Sequence, residues 1–143
     1  MADVKITQLD PGVDPVGDEL VEAVQSGGSV RLTLDQIKKA QMVTSGSAAY
    51  TLLLTDRFKI LEMTSASANT VTIPPDSSVD FPIGAAIIVR QFGAGATSIL
   101  AGVGVTALHK ASVTLTLFEQ YSEVVLQKRA ANSWLVTGEL TPA

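Results

Sequence analysis

From Tyr50 to Leu100 the chain is a series of short β-branched runs, broken by Pro-Pro, Asp-Ser-Ser, Phe-Pro-Ile-Gly and Gly-Ala-Gly. No run there is long and charged enough to make a surface helix, so the stretch constrains the fold to β structure. Val71, Ile73, Val79, Ile83, Ile87 and Val89 supply apolar side chains, and Thr70, Thr72, Ser77 and Ser78 supply hydroxyls. A compact β domain of this composition works by presenting a surface.

Strands are expected at residues 50–54, 58–63, 70–73, 86–92, 97–100, 113–117, 122–128 and 134–138. In Val113-Thr114-Leu115-Thr116-Leu117 the alternation is strict, with Val and Leu on one side and Thr on the other. Ala130-Ala131-Asn132-Ser133 suits a hairpin loop, and Pro74-Pro75 and Pro82 belong at strand ends or edges. Turn signals recur about every ten residues, which predicts an antiparallel β-sandwich or a jelly-roll-like domain.

A polar stretch, Thr44-Ser45-Gly46-Ser47, reads as a joint. It divides the 143 residues into an N-terminal anchor module, 1–44, and a β-rich knob, 45–143. In the module, Ile6–Leu9 reads as extended, and Asp10-Pro11-Gly12 and Asp14-Pro15 as turns. Residues 19–25 followed by Ser26-Gly27-Gly28-Ser29 and Val30-Arg31-Leu32-Thr33 favour a hairpin over a helix. Asp35 then caps a short helix through Ala40, with Lys38 and Lys39 suited to its C-terminal dipole. So small a module is expected to dock on something, with Ile6, Leu9, Leu20, Val24, Leu32 and Ile37 as its partner-binding residues.

Hydrophobic residues make up 46% and charged residues only 17% of the chain, with a mean hydropathy of +0.32. Average domains carry about 25% charged residues, so part of the aliphatic surface is expected to be buried against other chains. The net charge is −4, and the only paired basic residues are Lys38-Lys39 and Lys128-Arg129. No nucleic-acid partner is therefore expected. The start MADVKITQLD carries no apolar core of a secretory signal, and the apolar run at 83–89 is too short to span a bilayer. No membrane partner is expected.

Gly102-Val103-Gly104-Val105-Thr106-Ala107 matches G-x-G-x-x-A, with Glu123 downstream. A dinucleotide site needs a helix opening at those glycines. Here His109-Lys110-Ala111-Ser112 runs straight into the Val113 strand, so a Gly-rich turn is expected instead. His109 is the only histidine and has no carboxylate near it in sequence, although three-fold association would gather one His per chain. Glu19 and Glu22 fall in a module too small for a hydrolase cleft. Asp76 and Asp80 lack the dense acidic spacing of a calcium loop. No G-x-S-x-G occurs, and no cysteine. No enzymatic activity, cofactor or metal is expected.

Two sets of residues carry a family resemblance. Ile6–Leu9, Gly17–Gln25 and Arg31–Ile37 resemble the leader modules of tailed-bacteriophage fibre and appendage proteins, with Glu22-Ala23 where an aliphatic pair is common. Leu54-Thr55-Asp56-Arg57, Met63-Thr64-Ser65-Ala66, Thr70–Pro74, Phe81–Gly84 and Gln91–Gly95 resemble a β domain of such phage proteins, as do Gln120-Tyr121-Ser122 and Asn132-Ser133-Trp134. The resemblance covers nearly the whole chain and implies a virion structural protein. A trimeric short fibre, head fibre or capsid decoration protein is expected, bound to capsid or tail proteins. A compact knob on a short anchor fits better than a long fibre. The alternative is a receptor- or carbohydrate-binding module of a tail fibre, with a host-surface receptor as partner.

Overall fold

The computed structural model describes residues 20–25 and 28–33 by their backbone, and residues 41–143 in full. The chain divides into two compact units, the second being Ala40–Ala143. In the first, β1 (Leu20–Gln25) and β2 (Gly28–Thr33) form an antiparallel pair, from Leu20 opposite Thr33 to Gln25 opposite Gly28. The extended segment expected at Ile6–Leu9 and the short helix from Asp35 lie outside the described residues.

The second unit is a sandwich of two mixed sheets. Its strands in chain order are β3 (Met42–Ser45), β4 (Ala49–Thr51), β5 (Ile60–Met63), β6 (Asn69–Ile73), β7 (Ala86–Gln91), β8 (Thr97–Ala101), β9 (Thr106–Leu108), β10 (Val113–Leu117), β11 (Glu123–Ala130), β12 (Ser133–Gly138) and β13 (Leu140–Pro142). The six-stranded sheet has the order β3-β5-β7-β11-β12-β9, and the five-stranded sheet β13-β10-β8-β6-β4.

The mainly-β sandwich is as expected, but its wholly antiparallel form is not. β3, β5 and β7 run parallel, as do β4, β6 and β8. The reason lies in the connections. From β3 to β8 each strand of one sheet passes into a strand of the other, so the chain re-enters the first sheet in its original direction. Parallel neighbours need such a crossover, and here the crossover is the opposite sheet's strand instead of a helix. The first six strands thus stack as three coils, β3–β4, β5–β6 and β7–β8. Beyond them, β11 on β7, β12 on β11, β10 on β8 and β13 on β10 are antiparallel.

The joint expected at Thr44–Ser47 is instead the end of β3 and its turn into β4. Thr44 lies opposite Glu62 and Ser45 opposite Met63, which places them inside the sandwich unit.

Alternation sets the core. Leu61, Met63, Ile87, Val89, Val124, Leu126, Trp134 and Val136 face inward from one sheet; Val71, Ile73, Ile99, Leu117 and Leu140 do so from the other. Trp134 meets Phe81 edge-on, with centroids 5.2 Å apart, a favoured aromatic geometry. Where the coils turn, Asn69, Gln91 and Thr97 are buried but satisfied. Thr97 Oγ1 donates to Asn69 Oδ1 at 2.9 Å, and the Thr97 amide to Gln91 Oε1 at 3.0 Å. Gly95 lets that turn lie against the one before it, since a Cβ there would sit 2.0 Å from the Ser67 carbonyl oxygen.

After β4 the chain makes a 3-10 turn, Leu54–Asp56. Tyr50 donates to Asp56 Oδ2 at 3.0 Å, and the Leu53 amide donates to the same oxygen at 2.8 Å. Burial, and then the Asp56 carboxylate, push the Tyr50 phenol up to about 12. The fold favours its neutral form, so this stabilisation is complete below the unfolded value of about 10. It is lost as pH rises from there through the folded value. An alkaline absorbance titration should show a tyrosine ionising at about 12, moved part of the way back toward about 10 in Asp56→Asn.

Candidate interaction surface

The two sheets treat their outward faces differently. On the five-stranded sheet the register aligns Ala49, Thr70, Ser98 and Thr116 in one row, and Thr51, Thr72 and Leu100 in the next. Thr114 shares this face by alternation. The strand sequences show why: β6 is Asn-Thr-Val-Thr-Ile and β10 is Val-Thr-Leu-Thr-Leu, apolar inward and hydroxyl outward. This is how a half-solvated sheet is written.

On the six-stranded sheet the outward row is Met42, Ile60, Ile88 and Val125, ending at Thr137. Met42 is 58% exposed and Val125 37%. The row on one side holds Ala86, Gln127, Leu135 and Leu108. Here alternation fails. β7 begins Ala-Ile-Ile-Val and β11 contains Val-Val-Leu, apolar at both parities, the composition of strands covered on both faces.

On the other side of the apolar row the register brings Thr44, Glu62, Arg90 and Glu123 into line. Arg90 Nη1 donates to Glu62 Oε1 at 2.6 Å and its Nε to Glu123 Oε1 at 2.5 Å. The hydrogen bond to Glu62, and then that to Glu123, raise the guanidinium pKa further and keep it charged. Arg90 is thus already paired within the chain.

A second exposed feature lies where β7 ends and β11 begins. Phe92 and Tyr121 meet edge-on, with centroids 5.7 Å apart, and Phe118 is exposed in the same loop as Tyr121. Tyr121 has φ 73°, which an L side chain rarely adopts. It is held there by its amide donating to the Gln91 carbonyl, while Gln120 Nε2 donates to the Phe92 carbonyl. Strain of this kind persists where the surroundings over-determine it.

Of the expected partner-binding residues, Leu20, Val24 and Leu32 fall on the β1–β2 strands, opposite Thr33, Ser29 and Val21. Ile6, Leu9 and Ile37 lie outside the described residues, as does Glu19. Gly102–Val105 is a turn between β8 and β9, closed by the Val105 amide on the Gly102 carbonyl, and no helix opens there. His109 is exposed, its Nδ1 2.9 Å from the Lys110 carbonyl oxygen.

Asp76 does more than make a turn. It pairs with the Nζ of buried Lys128, which sits 5.7 Å from the centre of the Trp134 ring. Asp76 Oδ2 also accepts the Asn132 amide at 2.9 Å, and Asn132 Oδ1 accepts the Asp76 amide at 2.8 Å. This ties the Pro74-Pro75 loop to the β11–β12 turn. The sequence holds a signal for it: Val124, Leu126 and Lys128 share one parity, so the lysine points inward with the core.

No family model, curated protein or solved structure matches the chain.

Proposed function

We propose that this chain is a non-enzymatic bacteriophage virion structural protein, a homotrimeric short fibre or decoration protein. The N-terminal unit, Met1–Lys39, docks it on a capsid or tail protein, and the sandwich is displayed. One observation carries the reading: the apolar row Met42–Ile60–Ile88–Val125 on a sheet that faces outward. Such a surface belongs to a chain that works in an assembly. The phage-like blocks of the sequence agree with it, since Thr70–Pro74 forms β6 and its exit, and Phe81–Gly84 leads into β7. Those blocks build the scaffold and carry no chemistry. Mass spectrometry of the purified particle should find the chain in stoichiometric amount, and its absence from the particle would overturn the reading.

The exposed Phe92–Tyr121 pair favours a second reading, a receptor- or carbohydrate-binding module, because exposed aromatic faces suit sugar rings. A glycan array probed with the intact assembly should then show binding that Tyr121→Ala abolishes. A silent array counts against it.

A further inference from the structure

β12 outlasts its neighbour. β9 pairs with it in parallel only as far as Leu108 opposite Leu135, whereas β12 runs on to Gly138. The phase of the ladders says which backbone groups this leaves over. On one side the Thr106 amide donates to the Asn132 carbonyl, and on the other the Glu139 amide donates to the Glu123 carbonyl. Backbone groups alternate between the two edges of a strand, so the odd residues here bond to β11 and the even ones turn toward β9. The Val136 carbonyl and the Gly138 amide therefore point past the end of β9. Among the described residues, no backbone group outside the two ladders bonds to either.

Beside them lies a cavity of about 290 Å³. Its lining takes in four consecutive residues of β12, Leu135 to Gly138. A cavity against the face of a strand touches alternate residues, so this one runs along the open edge. Val113 and Leu140 make the other wall, and Lys110 is the only charged residue in the lining. Lys110 is exposed and forms no ion pair among the described residues. The volume is nearly twice the roughly 150 Å³ that holds a benzene, so apolar side chains fit. A purely apolar ligand would fill it and still leave the two backbone groups unmet. One residue of a parallel strand, opposite Thr137, meets both: its amide donates to Val136 and its carbonyl accepts from Gly138. The residues flanking it then point inward, toward Val113 and Leu140.

We propose that the open edge of β12 takes an extended peptide of another protein, apolar at alternate residues and acidic between them, laid in the track that β9 vacates. Main-chain hydrogen bonds hold such a strand and alternate pockets select it, while Lys110 favours its carboxylates.

Fluorescence anisotropy tests it, with the full-length chain titrated into a short labelled peptide of alternating valine and glutamate. Saturable binding is expected, lost when the peptide's backbone amides are N-methylated. Lys110→Glu, an exposed change that leaves the fold alone, should weaken it roughly tenfold or more, the worth of one hydrogen bond to a charged group. Amide exchange locates the site: Gly138 exchanges quickly in the free chain and is protected once the peptide is bound. No binding, equal binding of a valine–lysine peptide, or full binding by Lys110→Glu each overturns the proposal. So does binding that leaves Gly138 exchange unchanged. Protection of Gly138 in the free chain that is lost on dilution gives the edge to a second copy and overturns it equally.

Discussion

Asp76→Ala is expected to lower the free energy of unfolding by about 3–5 kcal/mol, the cost of leaving one partner of a buried ion pair alone. Lys128 is only 1% exposed, and Asp76 is the carboxylate that it pairs with. The reverse change is expected to be much milder. The Asp76 side chain keeps 20% exposure and the Asn132 amide, so Lys128→Met leaves a carboxylate that water still reaches. The methionine would also fill apolar space beside Trp134. The double variant should then unfold close to Lys128→Met alone, and urea denaturation of all four proteins gives the coupling. Equal losses in the two single variants would contradict this account.

The same pair sets an acid dependence. The hydrogen bond from Lys128, helped by the Asn132 amide and opposed by burial, holds the Asp76 carboxyl below its usual range. A depressed folded value means that the stabilisation is present above the unfolded value of about 3.9 and is lost as pH falls through the folded one. The gap between wild type and Asp76→Asn should therefore be constant near neutrality and shrink below about pH 4.

Gly138→Ala is the second large effect expected, also about 3–5 kcal/mol from strain and overpacking together. Gly138 ends β12 in the six-stranded sheet, and after Glu139 the chain is already in β13 of the five-stranded sheet. The corner needs φ 135°, which an L side chain rarely adopts. A Cβ there would also stand 2.3 Å from the Glu123 carbonyl oxygen, which is backbone and accepts the Glu139 amide at 2.9 Å. Relief therefore means pulling the β11–β12 pairing apart. A shift in the thermal midpoint of at least several degrees is expected, and a melt superimposable on wild type would refute the corner argument.

What was legible in the sequence follows from where the physics is local. Val113–Leu117 alternates strictly and is β10; Trp134–Gly138 falls within β12. β3 was hidden because Thr44-Ser45 reads as a joint, and it becomes a strand only by lying beside Leu61–Met63. Parallel pairing was hidden for a related reason. Met42, Ile60 and Ile88 are neighbours across the sheet, yet no short-range pattern links residues so far apart in the chain. By contrast, parity alone turns Lys128 inward, although its partner Asp76 lies 52 residues away, and the failure of alternation in Ala86–Val89 marks the apolar face, two signals the reading above did not use. The aromatic corner depends on one backbone angle at Tyr121 that no residue type announces.

The three stacked coils have a consequence for how such a protein diversifies. Each coil adds one strand to both sheets at once, and its turns lie on those of the coil before. Size can therefore change only in whole steps. Duplicating the β5–β6 coil would widen the apolar face and the hydroxyl face together and leave β11–β13 untouched. Descendants of this chain should differ by entire coils, as a staircase differs by treads, and single-residue insertions should gather in the loop between β6 and β7.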